Sequence, residues 1–339
     1  MTIPAKLILP LLLLLGFVSA CDSRTDVDTA RPAKFGFQTS IPKSLMEEGH
    51  LAYQRYCTGC HGEAGDGLGE AAAFLSPRPR NFVNAAFKFS STRSGQLPTD
   101  EDLKRTIRTG LRGSAMPSFP LLPERTVDAL VAYVKTLSPK WQEREPAAQI
   151  PFVADPFKSV DDRATSIARG EAVYHGYSIC WSCHPSYVPE AKINEYVQSF
   201  GGAPRTEFRG DLHIAEGKPN DEGELIYPPD FRRDFVRAGT SAEDLYRSIA
   251  SGITGTAMPT WVDSIDIPGK KPGDPPLVSQ QDLWAMAYYV KSLIEQRPAL
   301  LKPGEFAVRP RPRPIYLHGA PPPVAEPATS QPADLEMDF

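Results

Sequence analysis

Two stretches of the chain repeat one spacing of apolar positions. In the first, Val127, Leu130, Val131, Val134 and Leu137 mark one face. In the second, Leu283, Met286, Ala287, Val290, Leu293 and Ile294 do the same. Recurrence at three and four residues is the period of an amphipathic helix with one buried stripe. Ahead of each lies a further predicted helix, opened by the acidic runs Asp100-Glu101-Asp102 and Glu243-Asp244. Carboxylates there complement the partial positive charge of a helix N-terminus.

The preceding helices belong to an internal repeat. TDEDLKRTIRTGLRGSAMPSF (99–119) and SAEDLYRSIASGITGTAMPTW (241–261) align without gaps, and ten of the 21 positions are identical. Upstream, EGHLAYQRY matches RGEAVYHGY, with two extra residues before Cys180. Each copy therefore reads as helix, cysteine motif, loop, helix, methionine loop, helix. The predicted fold class is all-α.

The cysteine motifs carry the chemistry. Cys57-Thr-Gly-Cys60-His61 and Cys180-Trp-Ser-Cys183-His184 are both C-x-x-C-H, the pattern of c-type haem attachment. Two thiols a short turn apart can each add to one vinyl group of a single haem. The next residue then falls under the iron, where an imidazole nitrogen can bind it. A redox C-x-x-C, a disulfide or half a zinc site would use the cysteines equally well. None of these explains a histidine directly after both pairs.

The order of elements resembles the class I cytochrome c fold, a helical wrap around one haem. Two in tandem resemble dihaem cytochromes of the c4 type. PRPRNF (77–82), followed by LPTDEDL and GSAMPSF, resembles cytochrome subunits of bacterial respiratory complexes. The resemblance spans roughly 41–297 and implies two covalently bound haem c groups. It places His61 and Met116 on the first iron and His184 and Met258 on the second. It further implies closed six-coordinate iron and single-electron transfer between redox partner proteins, either a membrane respiratory complex or a soluble cytochrome. No catalytic residue and no small-molecule substrate are expected. A haem-bearing subunit of a larger oxidoreductase or quinol-oxidising complex is the second reading, and a dihaem peroxidase the third.

The second copy departs from the first in several places. Pro185 follows His184 where Gly62 follows His61, and polar insertions run over Ser186–Tyr227 and Val262–Val278. These insertions are expected to cover haem edge or to form a docking surface. His175 and His213 are competing ligand candidates in this copy. Met46 and Met286 read as core filler. Phe119 and Trp261, each three residues past a ligand methionine, are expected to pack near haem, and Trp181 to pack within its C-x-x-C loop.

The N-terminus opens with Lys6 and an apolar run from Leu7 to Val18, too short to span a bilayer. Ser19 and Ala20 close it as a secretory cleavage site does. Val18-Ser-Ala-Cys21 resembles a bacterial lipobox, which implies an acylated Cys21 holding the chain at the membrane. Asp22 resembles the signal that retains lipoproteins at the inner membrane of some Gram-negative bacteria. The expected divisions are 1–20 signal peptide, 21–40 tether, 41–140 first cytochrome domain, 141–160 linker and 161–297 second domain. A Pro-rich tail, predicted to be disordered, fills 298–339. The expected location is the periplasmic face of the cytoplasmic membrane.

Charge changes the picture little. A formal net charge of −4 excludes the concentrated basic surface that nucleic-acid binding requires. Residues 41–140 hold 13 Lys and Arg against 10 Asp and Glu, and 161–297 hold 14 against 20. This asymmetry is expected either to steer two different partners or to decorate two ordinary solvated surfaces.

Overall fold

A computed structural model describes residues 41–144, 147–157, 159–266 and 276–297. Cys21, the signal and tether segments and the Pro-rich tail lie outside the described residues. All described residues fall within one contact-defined unit, Phe35–Phe339. The fold is all-α, with a single two-stranded hairpin among the described residues. Among them, no helix is long and apolar enough to cross a membrane.

The first helical group comprises α1 (Lys43–Tyr56), α2 (Thr58–His61), α3 (Asp100–Thr109), α4 (Glu124–Thr136) and α5 (Lys140–Glu143). The second comprises α6 (Val160–Ala172), α7 (Glu190–Ser199), α8 (Ala242–Ser251) and α9 (Gln280–Glu295). The predicted apolar faces are the ones buried. Val127, Leu130, Val131 and Val134 of α4 are buried in the first group, with Leu130, Val131 and Val134 in its hydrophobic cluster. Leu283, Met286, Val290 and Leu293 of α9 line the second. Met286 is buried core, as its place on the apolar face requires. The acidic first turns are caps as well as dipole partners. Thr99 and Asp102 form a reciprocal capping box on α3, and the Ser241 hydroxyl accepts from the Asp244 N–H on α8.

Each group is built on one close helix crossing. A Cβ at Gly49 of α1 would lie 2.2 Å from the carbonyl oxygen of Ala129 on α4. A Cβ at Gly170 of α6 would lie 2.1 Å from that of Ala285 on α9. Only glycine permits backbone to approach backbone this closely. The tyrosine four residues on, Tyr133 or Tyr289, lies against the same glycine.

The two extra residues before Cys180 are absorbed by widening the helix. Val173–Tyr177 forms a π turn, and Ile179 takes a left-handed conformation at φ 45°. Such turns accommodate an insertion without ending the helix. The insertion Ser186–Tyr227 is not uniformly polar loop. It contains α7, whose Ile193 and Val197 are buried, and a hairpin pairing β1 (Lys218–Pro219) with β2 (Leu225–Ile226).

The two groups are stitched through the irregular segment 90–95. Ser94 N–H donates to the Ser251 carbonyl, Gly95 N–H to the Thr254 hydroxyl at 3.0 Å, and the Ser251 hydroxyl to the Ser90 carbonyl at 2.8 Å. Arg93 grips Asp263 with both carboxylate oxygens at 2.9 and 3.0 Å. Part of the charge asymmetry is therefore used between the groups. The connecting residues also pack: Ile150 is buried with its N–H on the Ser91 carbonyl, and Trp284 donates to the Val153 carbonyl.

Candidate haem sites

The two cysteine motifs share one backbone geometry. His61 N–H donates to the Cys57 carbonyl at 2.9 Å, and His184 N–H to the Cys180 carbonyl at 2.9 Å. This single turn gathers both thiols and the histidine of each motif. All four cysteines are free and partly accessible. Burial, the larger cause, and the second cysteine push the Cys57 thiol up to about 12. Burial likewise pushes Cys180 up to about 12. These are protonated thiols, not reactive redox thiolates. Neither pair belongs to a metal-holding group of three or more His, Cys, Asp or Glu among the described residues.

The histidines are oriented from behind. His61 Nδ1 donates to the Arg80 carbonyl at 2.9 Å, and His184 Nδ1 to the Pro229 carbonyl at 3.0 Å. A carbonyl only accepts, so the proton is fixed on Nδ1 and the lone pair on Nε2, as a metal-ligating imidazole needs. Burial holds His61 below its ordinary value and His184 down to about 4, keeping both rings neutral. Two residues beyond each carbonyl, a phenylalanine stacks on the ring: Phe82 on His61 at 4.3 Å and Phe231 on His184 at 4.8 Å. A tyrosine clamps the residue after each ligand. Tyr53 hydroxyl donates to the Gly62 carbonyl, and Tyr174 hydroxyl to the Pro185 carbonyl.

The methionine loops match as closely. Leu111 N–H donates to the Met116 carbonyl at 3.1 Å, and Ile253 N–H to that of Met258 at 3.2 Å. Inside each loop a hydroxyl, Ser114 or Thr256, donates to the first carbonyl at 2.7 Å and accepts from the methionine N–H. Gly110 and Gly252, at φ 64° and 73°, turn the chain so closely that a Cβ would strike Pro117 or Pro259. Phe119 meets Tyr56 ring to ring at 5.8 Å, which joins the first methionine loop to the residue before Cys57. Trp261 packs partly buried on the second core.

The competing histidines are accounted for. His175 is fully buried; Nδ1 donates to the Glu171 carbonyl at 2.9 Å and Nε2 accepts from Tyr187 N–H at 3.3 Å. With both nitrogens engaged it has no lone pair for iron. His213 is exposed. Trp181 is buried against Phe208, and its indole N–H donates to the His175 carbonyl at 2.9 Å.

Residues 44–134 match the family model described as cytochrome c oxidase, cbb3-type, subunit III. A chain of the reducing HAO-like protein complex of Kuenenia stuttgartiensis is 31% identical, with a TM-score of 0.57. The alignment covers 76% of the present chain and 100% of that one. No curated protein matches.

The chain belongs to the c-type cytochromes. Covalently bound haem c and a role in electron transfer follow from that membership. The cytochrome's own residues fit the group. Paired thiols suit the two haem vinyl groups, and a neutral imidazole with a free Nε2 suits the iron. A half-buried cation also lies near Arg80. Lys88 is half-buried, and burial, with Arg80 and Arg237 nearby, pushes its ammonium down to about 8. It closes no ion pair among the described residues, and a haem carboxylate suits it. Lys88 stands six residues after Phe82, as Arg237 stands six after Phe231.

The clamping tyrosines, the carbonyls of Arg80 and Pro229 and the loop hydroxyls of Ser114 and Thr256 were not singled out from sequence. The repeat itself carried the signal for the hydroxyls, since a Ser or Thr precedes Ala-Met-Pro in both copies.

Proposed function

We propose that this cytochrome carries two haem c groups and relays single electrons between protein partners. Cys57 and Cys60 bond the first haem, with His61 and Met116 as axial ligands. Cys180 and Cys183 bond the second, with His184 and Met258. Acylation at Cys21 tethers the chain to the outer face of the cytoplasmic membrane, within reach of respiratory partners.

The observation that supports this reading most strongly is duplication of the site. The motif turn, the carbonyl behind the histidine, the stacked phenylalanine, the clamping tyrosine and the methionine loop all occur twice. When bound, haem supplies a one-electron iron couple whose potential methionine ligation raises. The chain's contribution is rigidity. Each histidine is held by a backbone carbonyl and an aromatic ring, and each methionine loop by its own hydroxyl. A site held this way changes charge with little movement.

A pyridine haemochrome assay tests the proposal. Two c haems per chain are expected, falling to one in Cys57→Ala/Cys60→Ala and in Cys180→Ala/Cys183→Ala. A single haem in the unaltered chain overturns it. Loss of lipid labelling in Cys21→Ser tests the tether, and unchanged labelling sinks it.

A second reading is favoured by one finding, that the 31% identical chain comes from a protein complex. In that reading the cytochrome is a fixed subunit of a larger oxidoreductase. Co-purification of stoichiometric partners from membranes in mild detergent supports the subunit, and recovery of the chain alone supports the shuttle.

A further inference from the structure

The hairpin in the Ser186–Tyr227 insertion ends in a turn that touches both candidate sites. Asn220 organises that turn. It is buried, its N–H donates to the Glu224 carbonyl at 2.9 Å, and its Oδ1 accepts from the N–H groups of Glu222 and Glu224 at 3.0 and 2.7 Å. Gly223, at φ 77°, closes it with an N–H on the Asn220 carbonyl at 3.0 Å. A turn determined by this many bonds is a rigid presenter of its side chains.

On one side Asp221 N–H donates to the carbonyl of Gly255 at 3.2 Å, three residues before Met258. On the other side Glu222 Oε1 accepts from Arg80 Nη1 at 3.2 Å. Arg80 is the residue whose carbonyl receives His61 Nδ1 at 2.9 Å. The chain of contacts therefore runs from the second methionine loop, through the turn, to the backbone behind the first histidine. The first methionine loop is covered differently. A Cβ at Gly113, the counterpart of Gly255, would fall 2.6 Å from Phe235 Cβ. Charge agrees with the seating of the turn, since Glu222 and Glu224 both act on Lys88 beside Arg80.

We infer that Glu222, presented by this turn, is a positioning residue for the first haem site. The inference deepens the two-haem proposal and rests on it. Arg80 has two duties: its carbonyl fixes the His61 ring, and its guanidinium, gripped by Glu222, fixes where that backbone lies. Glu222 also places a negative charge beside the first site. Negative charge near an iron favours the oxidised state, so its removal raises the midpoint potential. The ion pair is partly exposed, with side chains 21% and 39% accessible, so the effect falls on the site rather than on the fold.

The test is redox titration of Glu222→Gln after its haem content has been measured. Met116→His and Met258→His variants assign the two waves. The first midpoint is expected to rise by about threefold in the reduction equilibrium, or ~30 mV at about 59 mV per tenfold, with the second unmoved. In an Arg80→Gln background the contribution made through Arg80 is lost and only the direct effect of the charge remains, so the rise is smaller. Glu195→Gln, whose carboxylate pairs with Lys192 on α7, moves neither midpoint. An unmoved first midpoint in Glu222→Gln overturns the inference, as does a rise of equal size without Arg80. If the chain holds no second c haem, the underlying proposal fails instead, and the haemochrome assay reports that separately.

Discussion

Tyr174 donates its buried hydroxyl to the carbonyl of Pro185, one residue past His184, at 3.0 Å. Tyr53 does the same for Gly62 at 2.8 Å, although glycine at φ 78° and proline send the chain onward in different directions. The clamp therefore survives a change in the residue it holds. Tyr174→Phe leaves the buried Pro185 carbonyl without this donor and is expected to cost about 1–3 kcal/mol, whereas Tyr53→Phe leaves the Gly62 carbonyl its bond from Gly65 N–H and is expected to cost less. Urea unfolding with unchanged slope measures it. A loss below experimental error at both positions would show the clamp to be dispensable.

Gly49 and Gly170 set the helix crossings on which each group is built. Gly49→Ala and Gly170→Ala insert a methyl where only about 2 Å separates it from a carbonyl oxygen. Ordinary overpacking costs about 1–3 kcal/mol. Here the obstacle is backbone, which cannot rotate away, so each is expected at or above the upper end. Circular dichroism melts check this, with Gly59→Ala, where a Cβ meets nothing within 4 Å, as the neutral comparison.

What sequence revealed, and what it hid, follows from the range of each interaction. Helices α4 and α9 were legible because their burial repeats with the helical period, and the capping boxes of α3 and α9 are local. The cysteine and methionine motifs were legible for the same reason. The carbonyls behind the histidines were not, because Arg80 lies 19 residues after His61 whereas Pro229 lies 45 after His184. The intervening insertion destroys the common spacing. Within that insertion, α7 shows only Ile193 and Val197 as apolar positions four apart that end up buried, too short a pattern to separate from loop. The turn at Asn220 is specified by side-chain bonds to backbone, which no hydrophobic period reports.

His175 predicts a pH dependence. Its ring is fully buried, and burial pushes it down to about 4 despite the Glu171 carbonyl. The unfolded chain binds the proton near pH 6.5, the folded one only near 4. Folding is therefore favoured most above about 6.5, and stability falls as pH drops from there towards 4. The full loss is about 3 kcal/mol. Urea midpoints across pH 7 to 4 should fall in the unaltered protein and fall less in His175→Gln. An equal slope in both would assign the acid sensitivity to other groups.

The methionines give the sharpest separation between a closed carrier and an open catalytic iron. Under the proposed ligation, Met116→Leu and Met258→Leu each keep the loop, because the Leu111 and Ile253 bonds and the Ser114 and Thr256 bonds involve no side-chain sulfur. Leucine supplies similar volume, so the change in packing alone should cost below about 1.5 kcal/mol. What leucine cannot supply is the sixth ligand. Each variant is therefore expected to bind carbon monoxide at one ferrous haem of two and to show one midpoint lowered, while the unaltered protein binds none. If neither variant gains carbon monoxide binding, a different side chain closes the iron. If the unaltered protein already binds it, one site is open, and the peroxidase reading returns.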